Sequence, residues 1–278
     1  MARRAPASAL TLAALLAVVF ASGGASAHDH WLAPDHARLA APGDVAVKLL
    51  YGEHLAAEGE HAFEAKKLAR LTLVAPKWAR ELRSLGREGG KPLTRFTLGR
   101  PGGYLVVADR TTQYLTHDPA KFDEYLEEEK LADVMADRMK RGEQKKQARE
   151  RYTRYLKSLV VVGEGGESAH GLVLGQRLEI VLESDPSKVR VGESLGVRVL
   201  FDGKPLAGAS VSAYARDELS SAELDGRTNA EGRVELKVAR AGSWLVRLVT
   251  MRRCEGCVDA DWESFWASYA FTVPARSM

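Results

Sequence analysis

Short apolar segments separated by turn residues recur along most of this sequence. In the first half they span residues 45–51, 68–74, 93–98 and 104–110. In the second half they span residues 177–182, 194–201, 209–215, 233–238, 244–251 and 267–273. Short strands with this spacing are typical of antiparallel sheets that pack as sandwiches. We therefore predict a mainly β protein with two β-sandwich domains, of which the second is immunoglobulin-like or transthyretin-like.

A segment with helical spacing interrupts the strands of the first half. Asp118 can cap a helix that begins at Pro119, where the missing N–H of proline costs nothing. Apolar residues then recur at helical spacing, and residues 149–159 (RERYTRYLKSL) are predicted as a further helix. The first domain is therefore expected to span residues 28–165 with a helical segment over about 119–159. The second domain spans residues 172–276, and the glycine-rich stretch 163–171 either joins the two or forms a loop beside one.

The first 27 residues have the pattern of a secretory signal peptide. Arg3 and Arg4 precede an uncharged apolar run at residues 10–21, and Ala25 and Ala27 place small residues at the cleavage positions. A membrane anchor is the alternative, but this run falls well short of the roughly 20 residues that a membrane span needs. We predict cleavage after Ala27 and a periplasmic or otherwise exported protein, with no membrane insertion of the mature chain.

Cleavage leaves the mature chain almost neutral. The whole sequence has 40 Lys and Arg against 37 Asp and Glu, and loss of Arg3 and Arg4 leaves 38 against 37. Partners such as nucleic acids or membrane surfaces are usually bound by a concentrated basic face. The overall balance therefore predicts no nucleic-acid partner and gives no support to a membrane-surface partner.

The two cysteines, Cys254 and Cys257, are separated by two residues. Outside the cytosol such a pair is expected to form a local disulfide. The alternative is a pair of thiolates that holds a soft metal ion. Redox catalysis is not predicted, because the pair follows a strand pattern and does not open a helix.

An aromatic group lies close to the C-terminus. Its members are Trp262, Phe265, Trp266 and Tyr269. They offer a stacking surface for sugars, or they belong to a packed strand of the second sandwich, and we predict the packed strand.

Cleavage after Ala27 would make His28 the first residue of the protein. Its free amine, with an ordinary pKa of about 7.7–8.0, can bind a metal ion near neutral pH. In one arrangement the amine, two amide nitrogens and the ring of His30 enclose Cu(II) or Ni(II) in a square plane. In the other, the amine and the ring of His28 chelate the ion together, and another histidine completes the site. His117 and His170 have no histidine neighbours in sequence and are predicted to be structural or solvent-exposed.

Several strings resemble an exported bacterial family, domain-of-unknown-function family 4198. They are "AHDHWLAP", "APGDVAVKL", "KFDEYLEEEKL", "RERYTRYLKSLV", "LFDGKPLAGASVSAY" and "WESFWASYAFTV". Members are described as similar to NikM, the substrate-specific component of nickel and cobalt uptake systems. That resemblance implies metal binding through the N-terminal amine and nearby histidines, here His28 with His54 or His61. Glu53 and Glu60 precede His54 and His61 in sequence and are expected to orient those rings. The chain lacks the membrane helices of NikM, so transport would need a separate membrane component.

The function predicted from these observations is periplasmic transition-metal binding, for uptake or handling of Ni, Co or Cu. The predicted ligands are His28, His30, His54 and His61. A copper enzyme that uses a histidine brace is one alternative, and a non-catalytic envelope interaction module is another. No G-x-S-x-G, H-E-x-x-H or phosphate-binding loop motif occurs, so no hydrolase is predicted.

Overall fold

The computed structural model describes residues 28–216 and 221–275, and within them the chain is mainly β. The strands of the first half are β1 (Asp29–Pro34), β2 (Arg38–Leu39), β3 (Gly43–Glu53), β4 (Ala56–His61), β5 (Leu68–Ala75), β6 (Trp78–Glu81), β7 (Thr94–Leu98), β8 (Gly102–Arg110), β9 (Gln113–His117) and β10 (Ala148–Val162). Those of the second half are β11 (Leu178–Leu182), β12 (Ser194–Phe201), β13 (Lys204–Pro205), β14 (Ser210–Arg216), β15 (Ser221–Arg227), β16 (Arg233–Lys237), β17 (Gly242–Arg253) and β18 (Trp262–Val273). The helices are α1 (Pro119–Glu128) and α2 (Ala132–Lys140), and two 3₁₀ turns span Ala65–Lys67 and Arg83–Leu85. The predicted signal peptide, residues 1–27, lies outside the described residues.

One large sheet carries strands from both halves of the chain. Its order is β15-β14-β17-β18-β10-β8-β5-β6, and β2 and β9 also pair with β10. A small sheet from the first half contains β1, β3 and β4, with β7 on the other edge of β3. A second small sheet contains β11, β12 and β13, with β16 also on β12. Strands β10 and β18 run parallel, so the two halves share backbone hydrogen bonds along most of the length of β10.

The two small sheets pack on opposite faces of the large sheet. Leu105 and Val107 of β8 point into the core under the second small sheet, whereas Tyr104, Val106 and Ala108 point into the core under the first. Because successive side chains of a strand alternate between faces, β8 is buried on both sides and reads as a continuous apolar run. This double packing confirms the predicted mainly β fold with β-sandwich packing.

The helix predicted over residues 149–159 is wrong, because these residues lie in the strand β10. Tyr155 and Leu159 enter the core of the second sandwich, whereas Leu156 and Val160 enter the core of the first. A strand that is apolar on both faces places large side chains three and four residues apart, which imitates a helical stripe. The β-branched run that ends β10 and its pairing with four other strands favour the extended form.

The remainder of the helical prediction is confirmed. Helix α1 begins at Pro119, and α2 ends just before Gly142, which has a positive φ of 65°. Both helices cover one end of the large sheet, where Phe122 and Tyr125 pack with the aromatic residues of β18. All four aromatic residues singled out in the sequence are buried, at exposed fractions of 0–6%. The packed-strand interpretation is therefore confirmed, and an open sugar-stacking surface is excluded for these side chains.

The predicted strands are present in both halves, with ends shifted by a few residues. The strands that were not predicted are β10, for which a helix is predicted, and β1, β2, β4, β6, β9, β13 and β15, most of which are short or polar. No helix in the described ranges is long and apolar enough to cross a membrane.

Candidate metal centre

The N-terminal strand places His28 beside a β-hairpin. Strand β1 runs antiparallel to β3, with Asp29 opposite Gly52 and His30 opposite Tyr51. Strands β3 and β4 form the hairpin, with a register shift between Tyr51 and Gly52. A Cβ at Gly52 would lie only 2.0 Å from the backbone oxygen of Ala56, so glycine is required where the hairpin tightens. His28 immediately precedes β1 and therefore reaches the turn of this hairpin.

Three side chains converge at this turn. One ligand atom from each of His28, Glu53 and Glu58 lies within 4.8 Å of the others. The His28 Nε2 atom is 2.9 Å from the Glu58 Oε2 atom, and the two side chains are 28% and 48% exposed. An imidazole with two carboxylates supplies the nitrogen and oxygen donors that divalent transition metals bind. Cleavage after Ala27 would free the backbone amine of His28, so that one residue would offer both an amine and an imidazole ring.

A pair of histidines, which we call the inner histidine pair, lies on the same strands: His30 on β1 and His61 on β4. The Nε2 atoms of His30 and His61 are 2.7 Å apart, and their rings stack at 4.8 Å. The His30 Nδ1 atom is 3.1 Å from the carbonyl oxygen of His28, which can only accept, so Nδ1 carries the proton. The Nε2–H group of His61 then donates to the Nε2 atom of His30. Both rings are held neutral and bonded to each other.

Positive charge surrounds this inner pair. Burial, together with Arg154, holds the pKa of His30 well below its ordinary value. Burial, together with Arg110, lowers the pKa of His61 to about 4. The Arg154 Nε and Arg110 Nη1 atoms are buried without a hydrogen-bond partner among the described residues, and their nearest acidic influences are Asp29 on Arg154 and Glu64 on Arg110. The guanidinium groups make the space between His30 and His61 electrostatically less favourable for a cation than the space beside His28, where two carboxylates lie.

The predicted ligands thus fall into different environments. His54 lies in the exposed hairpin turn at a positive φ of 50°, and its ring packs on Tyr214 at 4.6 Å. The predicted ring-orienting residue Glu53 instead joins the His28 group, and Glu60 has a buried Oε1 atom without a hydrogen-bond partner. Sequence reasoning missed Glu58, because only the register of the β3–β4 hairpin brings it next to His28.

The fold favours one of the two chelate arrangements. A square plane through the ring of His30 needs the amides of Asp29 and His30 as ligands, yet both residues lie in the β1–β3 ladder. The ring of His30 also points inward to His61, and its carbonyl oxygen accepts a hydrogen bond from Ser268 at 2.8 Å. Chelation by the amine and ring of His28 leaves all of these contacts in place.

A buried ion network fixes the residue that follows His28. The guanidinium of Arg247 contacts Asp29 at 2.6 Å and Glu129, at the end of α1, at 2.5 and 2.8 Å. All three residues are under 10% exposed. Burial alone would lower the pKa of Arg247, but the carboxylates of Glu129 and Asp29 more than offset it and raise that pKa. Asp29, at the start of β1, is therefore tied to the core of the large sheet.

The other candidate groups have structural partners. Cys254 and Cys257 form a disulfide, so in this form neither sulfur is a thiolate ligand. The His117 Nε2 atom lies 2.5 Å from Glu150, and both side chains are buried. The ring of His170 contacts the hydroxyl of Ser168 at 3.1 Å. These contacts support the structural role predicted for His117 and His170.

Acid is expected to destabilise the metal-free protein through the inner histidine pair. The pKa of both rings is lower in the folded than in the unfolded chain, so between pH 6.5 and about 4 the unfolded chain binds more protons. The free energy of unfolding should therefore fall as pH falls through this window. Urea denaturation at neutral pH and at about pH 5 measures this, and His61→Gln should flatten the change. An equal change in His61→Gln would contradict the assignment.

Comparison with known proteins places the chain in a family without assigning a role. No curated protein sequence matches it. Solved structures give distant likenesses: the D0-D1 domain of Intimin (12% identity, 86% of this chain and 96% of that chain, TM-score 0.20) and latent PorU from Porphyromonas gingivalis (10%, 88% and 20%, TM-score 0.19). The family model described as "Domain of unknown function (DUF4198)" matches residues 25–252, which include the His28 cluster. The chain therefore belongs to the DUF4198 family.

Proposed function

We propose that the mature chain is an exported, periplasmic protein that binds Ni(II), Co(II) or Cu(II) and serves uptake or handling of that metal. The observation that carries the proposal is the convergence of His28, Glu53 and Glu58 at the β3–β4 turn. Processing after Ala27 would add an amine to this group, and that amine can form a chelate with the Nδ1 atom of the His28 ring once the ring turns Nδ1 toward the ion. The ion is the cargo of the protein, so no catalytic step is needed.

Three further features support this function. The carboxylates of Glu53 and Glu58 neutralise a divalent ion, whereas the inner histidine pair lies among guanidinium groups. The disulfide removes the thiolates that would favour a soft ion such as Cu(I). The resemblance to NikM-type proteins, which bind metal through the N-terminal amine and a nearby histidine, agrees with a ligand set centred on His28. Under this proposal a separate membrane component carries the ion across the bilayer.

Removal of either cluster carboxylate should weaken metal binding. Glu58→Gln keeps the size of the side chain but removes the charge, and we expect Kd for Ni(II) to rise at least about tenfold, equivalent to about 1.4 kcal/mol. Isothermal titration of the untagged mature protein measures this, with Glu53→Gln as a second variant. Glu60→Gln is the matched control, because Glu60 lies on the same strand but outside the cluster. Equal losses in the cluster variants and the control, or no loss in any, would contradict the site.

A further inference from the structure

The near-neutral charge of the mature chain conceals a strongly basic segment. Residues 77–100 contain seven Lys or Arg and two Glu, a net charge of +5. The remainder of the chain after residue 27 has 31 basic and 35 acidic residues, a net charge of −4. The net charge of the whole chain therefore does not reveal the positive charge of residues 77–100, which we call the basic edge.

The basic edge lies on the open side of the large sheet. Among the residues that the structure describes, strand β6 pairs only with β5, and all four residues of β6 are exposed. A groove of about 250 Å³ separates β6 from the loop between β7 and β8, with Arg80 and Arg100 on its walls. Strand β7 adds the exposed Arg95.

Most of the positive charge on this edge has no acidic partner. Lys77 pairs with Glu167 at 3.0 Å, and the guanidinium of Arg83 donates to the carbonyl oxygen of Ala65. Five other basic side chains form no salt bridge with any described residue: Arg80, Arg87, Lys91, Arg95 and Arg100. Arg80 and Arg100 line the groove together with Trp78, whereas Arg87, Lys91 and Arg95 lie elsewhere in the segment.

Two large apolar side chains are exposed on the same edge. Trp78 is 48% exposed at one end of β6, and Leu85 is 50% exposed in the 3₁₀ turn beyond its other end. The ring of Trp78 lies 6.0 Å from that of Tyr104, whose hydroxyl donates to the carbonyl oxygen of Arg100 at 2.8 Å. The other four tryptophans are at most 6% exposed. Trp78 is therefore held at the surface beside the basic groups.

We propose that the basic edge, residues 77–100, docks the protein on a bilayer surface rich in anionic phospholipid. Tryptophan prefers the interface between headgroups and acyl chains, and Lys and Arg are attracted to the negative potential of anionic headgroups. The surface combines both in one open edge, which suits an extended planar partner. This membrane association is independent of metal binding.

Vesicle co-sedimentation of the metal-free mature protein tests this docking. At low ionic strength the protein should bind vesicles of equal parts phosphatidylcholine and phosphatidylglycerol, and it should not bind phosphatidylcholine alone. Arg80→Glu/Arg100→Glu should lower the partition coefficient at least about tenfold. The matched control is Lys204→Glu/Lys237→Glu, which makes the same charge change at exposed sites on the second small sheet. Thermal melting followed by circular dichroism checks that each variant folds.

The wavelength of tryptophan emission is a second measurement, and it reports insertion of Trp78 and not electrostatic attraction alone. Binding should shift the emission to shorter wavelength, and Trp78→Phe should remove that shift because the other tryptophans are already buried. Failure to bind the anionic vesicles, an equal loss in the control pair, or a shift that persists in Trp78→Phe would overturn the proposal. Binding to soluble polyglutamate without binding to vesicles would also overturn it, in favour of an acidic protein partner.

Discussion

One alanine added in front of the processed His28 should weaken Ni(II) binding at least about 100-fold, equivalent to about 2.7 kcal/mol. The extra residue converts the His28 amine into an amide, which does not bind a metal ion near neutral pH without losing its proton. It thereby breaks the chelate formed by the amine and the ring, while Glu53 and Glu58 stay in place. Titration of two proteins that differ only in this residue, each checked by intact mass, measures the effect.

The same insertion in a His28→Ala background is the matched control. If the amine and the ring act as one chelate, the loss of the ring already removes most of the affinity. The added alanine should then cost clearly less in this background than in the native one. Equal costs in both backgrounds, or an unchanged affinity in the native background, would show that the terminal amine is not a ligand in concert with His28.

Replacement of Arg247 by methionine should destabilise the protein by about 3–5 kcal/mol. The substitution keeps much of the side-chain volume but leaves Asp29 and Glu129 buried without a counter-charge. A loss of this size is a large share of the 5–15 kcal/mol that holds a typical domain folded. Urea denaturation of the metal-free protein at neutral pH measures it.

Two further variants distinguish the effect of leaving buried charges unpaired from the effect of shortening an arginine side chain. Arg227→Met changes an exposed arginine on β15 that donates to the carbonyl oxygen of Gly208, and it should cost at most about 1 kcal/mol. The triple variant Asp29→Asn/Glu129→Gln/Arg247→Met should recover part of the loss, because no charge is left without a partner. A cost for Arg247→Met no larger than that for Arg227→Met would contradict the role of the network.

Local sequence patterns predict that the fold is rich in β-strands, but they do not predict how the strands are arranged into packed sheets. Turn residues and apolar runs locate strands such as β12, whose predicted bounds match the structure. The parallel pairing of β10 with β18 joins residues more than 100 positions apart, which no local pattern encodes. Burial of β10 on both faces also explains why its sequence imitates a helix.

Residues of the candidate site can be predicted from the sequence only where the signal lies in the neighbouring sequence. His28 can be predicted because the cleavage motif directly precedes it. Glu58 cannot, because it joins the cluster through the register of a hairpin whose second strand is short and polar. The contrast between His28 and the inner pair depends on Arg110 and Arg154, which arrive from β8 and β10. Long-range strand pairing thus decides which histidine has carboxylate neighbours and which has guanidinium neighbours.

Under the proposed function, the mature N-terminus itself holds the metal ion. The most direct test is a crystal structure of processed, Ni(II)-loaded protein, with anomalous difference density recorded at the nickel edge. We expect one strong peak bonded to both the amine and the ring of His28, with Glu53 or Glu58 as a further ligand. A peak between His30 and His61, or a peak beside His28 that does not contact the amine, would contradict it.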